Sequence, residues 1–211
     1  LIFYFTEKFV QFNLIFMENT VKRVSFFDII APYVKLGPVS REVLLANMVK
    51  EFLPKGYVLV PVGGICRSVH YMEKGLTRTF YLKDGKEVTE RFSVENSFSC
   101  SMAGYLNNSP DGRQIELLEP SIIWSLPYEK LEKLYDEHRE IERLGRHIIT
   151  NDLLEMQRRL TDLQFKSAEE RYSGLLASHP TLLQRVPLGI ISSYLGITQE
   201  TLSRIRRKVT F

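Results

Sequence analysis

Hydrophobic and polar positions divide the 211-residue chain into three textures. Over residues 20–53, Val21, Val24, Phe27 and Asp28-Ile29-Ile30 fall at roughly helical spacing. A second helix is expected over Arg41–Phe52, capped by Ser40 and stopped by Pro54-Lys55-Gly56. From Tyr57 to Ser125 the pattern shortens to β-prone runs between turn signals. The runs are Tyr57–Val60, Ser68–Glu73, Leu76–Leu82, Glu87–Phe92, Ile115–Leu118 and Ser121–Ser125. Lys83-Asp84-Gly85-Lys86 suits a hairpin turn, because glycine tolerates positive φ. Short strands without helices between them predict an antiparallel β-roll or barrel.

The third texture begins at Pro127, a residue suited to a first helical turn, and no proline follows until Pro180. Within this uninterrupted segment Ile149, Leu153, Met156, Leu160 and Leu163 are spaced 4, 3, 4 and 3, with Glu155, Arg158, Arg159 and Asp162 alongside. That is a narrow heptad seam, and it predicts pairing with a second copy of the same helix rather than burial in its own domain. Ser167-Ala168-Glu169-Glu170 then reads as a capping box that opens a short helix, ended by His179-Pro180. The expected class is α+β: an antiparallel β-roll, a long dimerisation helix and a small all-helical unit.

Charge sharpens this division. The net charge is only +3, yet residues 1–166 carry 22 basic and 22 acidic side chains, so the whole excess lies in residues 167–211. Arg204, Arg206, Arg207 and Lys208 make a basic tip on a neutral body, and such tips meet phosphate. Two cysteines, Cys66 and Cys100, are too few for a disulfide scaffold, a four-cysteine zinc site or an all-cysteine iron–sulfur cluster. The four histidines (70, 138, 147 and 179) show no metal spacing, and no nucleophile elbow, phosphate loop or paired-carboxylate motif stands out, so no enzyme is expected. Leu1–Phe16 is too short and too polar for a membrane span and lacks a signal peptide's basic start and cleavage site. Met17 is expected to be a natural start, or residues 1–16 a loosely attached extension. A membrane-surface or partner-binding strip is the functional alternative for it. With no other targeting segment, the protein is expected to be cytoplasmic, without a membrane partner.

Function is most legible in Leu188–Arg207, LGIISSYLGITQETLSRIRR. A helix-turn-helix needs apolar residues where its two helices touch and a glycine where the turn takes positive φ. Gly196 stands at that turn. Ile191, Leu195, Ile197, Leu202 and Ile205 fill the inward positions, and Ser192 is small where the helices approach. Thr198 caps the second helix. Gln199, Glu200, Ser203, Arg204 and Arg207 are left facing outward, suited to a DNA major groove. Arginine can grip guanine O6 and N7, glutamate can accept from cytosine N4, and Gln199 suits adenine. Thr198 and Thr201, with Arg206 and Lys208, suit phosphates.

With β-roll, long helix and the terminal ITQETLSRIRRK in this order, the chain resembles the bacterial Crp/Fnr transcription regulators. The family is named for the cyclic-AMP receptor protein and the fumarate–nitrate regulator. The resemblance runs over roughly residues 20–211 and is strongest in AEERYSGLL and RVPLGIISSYLGITQETLSRIRRK. It implies a homodimer on a near-palindromic operator of double-stranded DNA, base reading by Gln199, Glu200 and Arg204, and RNA polymerase as a further candidate partner. The sequence reaches Phe211 just past the recognition helix, so the family's β-wing is expected to be missing or much reduced.

The roll departs from the family's cyclic-nucleotide cassette, which runs F-G-E-L and then, about ten residues on, R-S-A. Here Phe98-Ser99-Cys100-Ser101 stands in the first place, without an acid for the ribose, and Asp111-Gly112-Arg113 stands near the second. A buried Asp111 would repel a phosphate, and Arg113 is the one substitute, expected out of register. The effector pocket is therefore placed at Ser99, Cys100, Ser101 and Arg113, with no cyclic AMP expected and the cofactor unknown. A Cys/His haem or redox sensor at Cys66, Cys100 and His70 is weighed against ordinary burial of small thiols. The domains are expected at 1–19 (extension), 20–126 (roll), 127–166 (linking and dimerisation helices) and 167–211 (DNA-binding unit). Two alternatives stay open: a cyclic-nucleotide-responsive regulator with an altered cassette, and an interaction protein using the roll.

Overall fold

The computed structural model describes residues 26–209. The extension before Met17, the helical positions Val21 and Val24, and Thr210 and Phe211 lie outside the described residues. Helices α1 (Phe26–Ile30) and α2 (Pro38–Asn47) lead into the strands. These are β1 (Val49–Leu53), β2 (Val58–Val60), β3 (Ser68–Lys74), β4 (Thr77–Lys83), β5 (Lys86–Ser93), β6 (Phe98–Ser99), β7 (Arg113–Leu117) and β8 (Ser121–Pro127). A short helix, α3 (Met102–Asn107), separates β6 from β7. The chain then continues through α4 (Tyr128–Glu137), α5 (Arg139–Phe165), α6 (Ala168–Ser178), α7 (Leu182–Arg185), α8 (Leu188–Leu195) and α9 (Gln199–Val209).

The strands pair antiparallel in two four-stranded sheets, ordered β1-β8-β3-β6 and β2-β7-β4-β5. Alternation along each strand sorts the side chains. Met72, Leu117 and Ile123 fill the space between the sheets, beside Val60, Cys66 and Ile115. On the opposite face of β8, Leu126 packs with Ile30, Val34, Leu36, Leu44, Leu134, Ile141 and Leu144 from the helices. The β4–β5 turn places Asp84 and Gly85 at positive φ, 52° and 72°, which matches the expected hairpin. The fold is thus the α+β roll with a helical C-terminal unit that the sequence predicts.

Three local expectations are corrected. The helix expected over Arg41–Phe52 ends at Asn47, because Val49–Leu53 pairs with Ser121–Ser125 as an edge strand of the roll. A tertiary partner overrides local helix propensity there. Ser40 does not cap that helix. Gly37 takes the cap position with Pro38 at the first turn, and the Gly37 N–H donates to Glu140 Oε2 at 2.7 Å. The segment after Pro127 is also interrupted, since His138 leaves the helical region (φ −131°, ψ 91°). That break lets Leu134 on α4 and Ile141 and Leu144 on α5 face one core.

Helix α3 and strands β1 and β6 have no counterpart in the sequence expectation. Ser101 caps α3 by accepting from Gly104 N at 3.2 Å, and α3 packs so closely on the β2–β3 loop that a Cβ on Gly104 would overlap the Cys66 carbonyl oxygen. Gly104→Val is therefore expected to cost about 1–3 kcal/mol, read as a lower urea midpoint. An unchanged midpoint would show that α3 can move away from Cys66 at no cost.

Candidate nucleic-acid interface and effector region

The C-terminal unit is built around Tyr172, Leu175, Leu182, Val186, Ile191, Leu195, Leu202 and Ile205. Its first helix opens with a two-way capping box: Glu170 N donates to Ser167 Oγ at 3.2 Å, and Ser167 N to Glu170 Oε2 at 2.7 Å. Helix α8 ends at Gly196, whose φ of 67° is the left-handed conformation the turn requires. Ser192 is buried beneath the turn, with its hydroxyl donating to Gly189 O at 2.9 Å. Thr198 then starts α9, its Oγ1 accepting from Thr201 N at 3.2 Å.

With Leu202 and Ile205 turned inward, α9 presents a polar outer face. Thr198, Gln199, Glu200, Arg204, Arg206, Arg207 and Lys208 are exposed, and Thr201 and Ser203 are half-buried. The Glu200 carboxylate is held below its usual pKa by its own backbone N–H, by the Thr198 hydroxyl and by the Arg204 charge one turn on. Arg204 Nη2 donates to Thr201 Oγ1 at 3.3 Å, and Lys208 pairs with Glu169 at 2.9 Å. Gln199, though exposed, lies against α8, where a Cβ on Gly189 would overlap its amide nitrogen. The helix N-terminus, three exposed arginines and one carboxylate on α9 suit phosphate and base-edge contacts.

The heptad positions form a solvent-facing row on α5. Ile149 is 40% exposed, Leu153 54%, Met156 50%, Leu160 58% and Leu163 40%. Leu154 and Phe165 add to this apolar surface, and Leu163 reaches the turn at Gly196.

In the roll, Ser99 and Ser101 are buried and Cys100 is half-buried. The expected pocket residues are joined by Asp111, which the sequence marks, and by Glu90, which it does not. Asp111 is buried and takes Arg113 in two-pronged fashion, with Nε to Oδ1 at 2.9 Å and Nη2 to Oδ2 at 3.0 Å. Arg113 Nη1 pairs with Glu90 Oε2 at 2.9 Å, and the Ser101 hydroxyl donates to Asp111. Burial pushes the Asp111 carboxyl up, but the bonds from Arg113 and Ser101 outweigh it and hold the group below its usual range. Arg91 on β5 reaches across to Asp152 and Glu155 on α5. Each cation of the region is thus matched by the protein's own carboxylates. Nothing in the spacing of Glu90, Arg91 and Asp152 announces this, because it depends on a register shift in β5 and on where α5 passes the roll.

Cys100 sits beside that cluster, within reach of the charges of Asp152, Arg91 and Arg113. His70 faces Ser125 inside the roll, with Nδ1 2.8 Å from Oγ, and burial lowers its pKa to about 4. Burial pushes the Cys100 thiol up to about 11. Cys66 donates to Ser68 O at 3.1 Å and lies 3.5 Å from the Tyr128 hydroxyl. Among the described residues no group of three or more His, Cys, Asp or Glu is placed to hold a metal, and no helix is long and apolar enough to cross a membrane.

A two-sheet roll, a long helix with an apolar row and a helix-turn-helix make up the chain. No family model matches the chain. The fumarate and nitrate reduction regulatory protein of Vibrio cholerae serotype O1 is 25% identical over 168 residues, 74% of this chain and 66% of that protein's length. A solved transcriptional regulator of the crp/fnr family from Eubacterium rectale shares the fold at TM-score 0.66 and 16% identity, over 88% of this chain and 87% of that one. FixK2 from Bradyrhizobium japonicum does so at TM-score 0.68 and 18% identity, over 77% and 84%. In sequence the chain is thus similar to a fumarate and nitrate reduction regulatory protein, and in fold to solved regulators of the crp/fnr family.

The Asp111 cluster has a pH signature. Its pKa is depressed by folding, so its contribution is present above the unfolded value of about 3.8 and is lost as pH falls through the lower folded value. Asp111→Asn is expected to cost about 1–3 kcal/mol near neutral pH, because Arg113 and Ser101 lose a charged partner. The gap from wild type should narrow as urea melts are repeated towards about pH 3. A gap independent of pH would show that the ion pair does not contribute.

Proposed function

We propose that the chain is a sequence-specific, homodimeric transcription regulator of the Crp/Fnr type, acting on double-stranded DNA in the cytoplasm, and not an enzyme. RNA polymerase is the further partner of that reading. The observation that carries it is α9. Leu202 and Ile205 anchor one face in the core, and Gln199, Glu200, Ser203 and Arg204 stand on the other. In this reading Gln199, Glu200 and Arg204 read base edges, Ser203 and Arg207 face the groove, and Thr198, Thr201, Arg206 and Lys208 hold phosphates. The β-roll takes a non-standard small effector or none. Arg113, which a cyclic phosphate would need, is engaged on three nitrogens by Asp111 and Glu90. That engagement favours the reading without cyclic AMP over a cyclic-nucleotide-responsive one.

Dimerisation rests on the exposed row Ile149, Leu153, Met156, Leu160 and Leu163, a contiguous apolar surface of the kind that partners cover. Replacing Leu153 and Leu160 together with glutamate should give monomers by light scattering. A dimer that survives the change would place the interface elsewhere.

DNA reading is tested by contrast. Arg204→Ala should cost about 1–3 kcal/mol on a duplex selected by the wild type and relax preference at one base pair. Lys208→Ala should weaken all sequences alike and lower the salt slope by about one unit. Equal losses for Arg204→Ala on selected and random duplexes would reduce the basic tip to a phosphate anchor.

A further inference from the structure

The end of α8 is held by two arginines from outside the helix. The last carbonyls of a helix lack intrahelical partners and carry the negative end of its dipole, so cations are favoured there. Around the turn, Gly196 N and Ile197 N serve Ser193 O and Ser192 O at 3.1 and 3.0 Å. Arg171 on α6 donates to Leu195 O at 3.1 Å. Tyr194 O is taken by Arg159, which belongs to α5, the helix that carries the apolar row.

Arg159 makes three contacts with two other elements of the molecule. From α5 its Nη2 donates to Tyr194 O at 2.9 Å and to Thr89 O, on β5, at 3.3 Å. Its guanidinium also lies over the Tyr194 ring, 3.9 Å from the centroid. The same two elements are joined beside it: Thr89 N donates to Ser193 Oγ at 2.9 Å, and Ser193 Oγ to Glu87 O at 2.8 Å. Phe92 packs on Tyr194, with centroids 5.0 Å apart. Other links, such as Arg185 to Glu95 and Glu119, tie the helical unit to the roll alone. Among the described residues, Arg159 is the side chain that hydrogen-bonds the long helix to both the roll and the turn-bearing helix.

We propose that Arg159 is a positioning residue for recognition of two DNA half-sites: it sets the angle between α8–α9 and the helix α5. The proposal rests on the reading of the chain as a dimeric DNA binder. A two-half-site operator is engaged by both recognition helices only when each stands at a fixed offset from the dimer axis. One half-site makes no such demand. A residue that fixes the offset therefore matters for two sites and not for one, whereas a base-contacting or purely stabilising residue matters for both.

The test uses Arg159→Gln and Arg159→Lys in the full chain, with the duplex selected by the wild type from random sequence and the same duplex cut to one half-site. Fluorescence anisotropy should show Arg159→Gln weakened about tenfold on two half-sites and within about twofold on one. Inserting one base pair between the half-sites should penalise the variant less than the wild type. Arg159→Lys should fall between them, since an ammonium keeps the charge and one donor but not the flat stack. Without DNA, hydrogen exchange at the Thr89 amide should quicken in Arg159→Gln, because its acceptor Ser193 is released. Equal losses on one and two half-sites, no loss, or unchanged exchange at Thr89 would overturn the proposal alone. A wild-type chain that binds no duplex above random sequence would overturn the functional reading and the proposal with it.

Discussion

Guanidinium groups hold the helical unit in place. Arg185 leaves α7 to meet Glu95 and Glu119, with Nη2 2.7 Å and 2.6 Å from their carboxylates, and also donates to Gly75 O at 3.0 Å. Burial pushes the Glu95 carboxyl up, yet the bonds from Arg185 and from Gly75 N–H hold it below its usual range. Arg159 does the matching work from α5. An isolated surface ion pair contributes little, but a planar fork with several fixed acceptors, part-buried, loses less entropy and is screened less. The orientation of the exposed polar face of α9 follows from where these planar groups find their acceptors.

The same chemistry governs the roll in a different way. Asp111, Glu90, Asp152 and Glu155 meet Arg113 and Arg91 with no foreign charge required. A site whose cations are already satisfied offers an anion only what remains after those pairs are broken. The roll shares the shape of the solved structures it resembles, while its polar groups are spent on each other and on α5.

What could be read from the sequence follows from how local each constraint is. The helix-turn-helix is specified by residues within one twenty-residue stretch, so Gly196, Ser192, Thr198 and the inward Leu202 and Ile205 stand where their spacing requires. The hairpin at Asp84-Gly85 is equally local. Strand β1 was illegible because its partner, Ser121–Ser125, lies some seventy residues away, and helix propensity alone decides nothing there. The break at His138 answers to a core shared by α4, α5 and β8. Asp111 is visible in the sequence as a buried acid, but its role as the partner of Arg113 needs the folded β7. In the sequence Arg159 is only a charge beside the apolar seam and nothing marks Arg185, because their acceptors are backbone carbonyls and distant carboxylates.

Leu76 sits in the turn between β3 and β4, yet it is fully buried in the core of the helical unit, beside Leu182 and Leu202, with Phe92, Val94 and Leu118 packed on the same cluster. The C-terminal unit therefore completes its interior with a side chain borrowed from the roll. It is not a portable cassette. A chimaera that grafts residues 167–209 onto another roll inherits a hole where Leu76 stood, unless the β3–β4 turn travels with it.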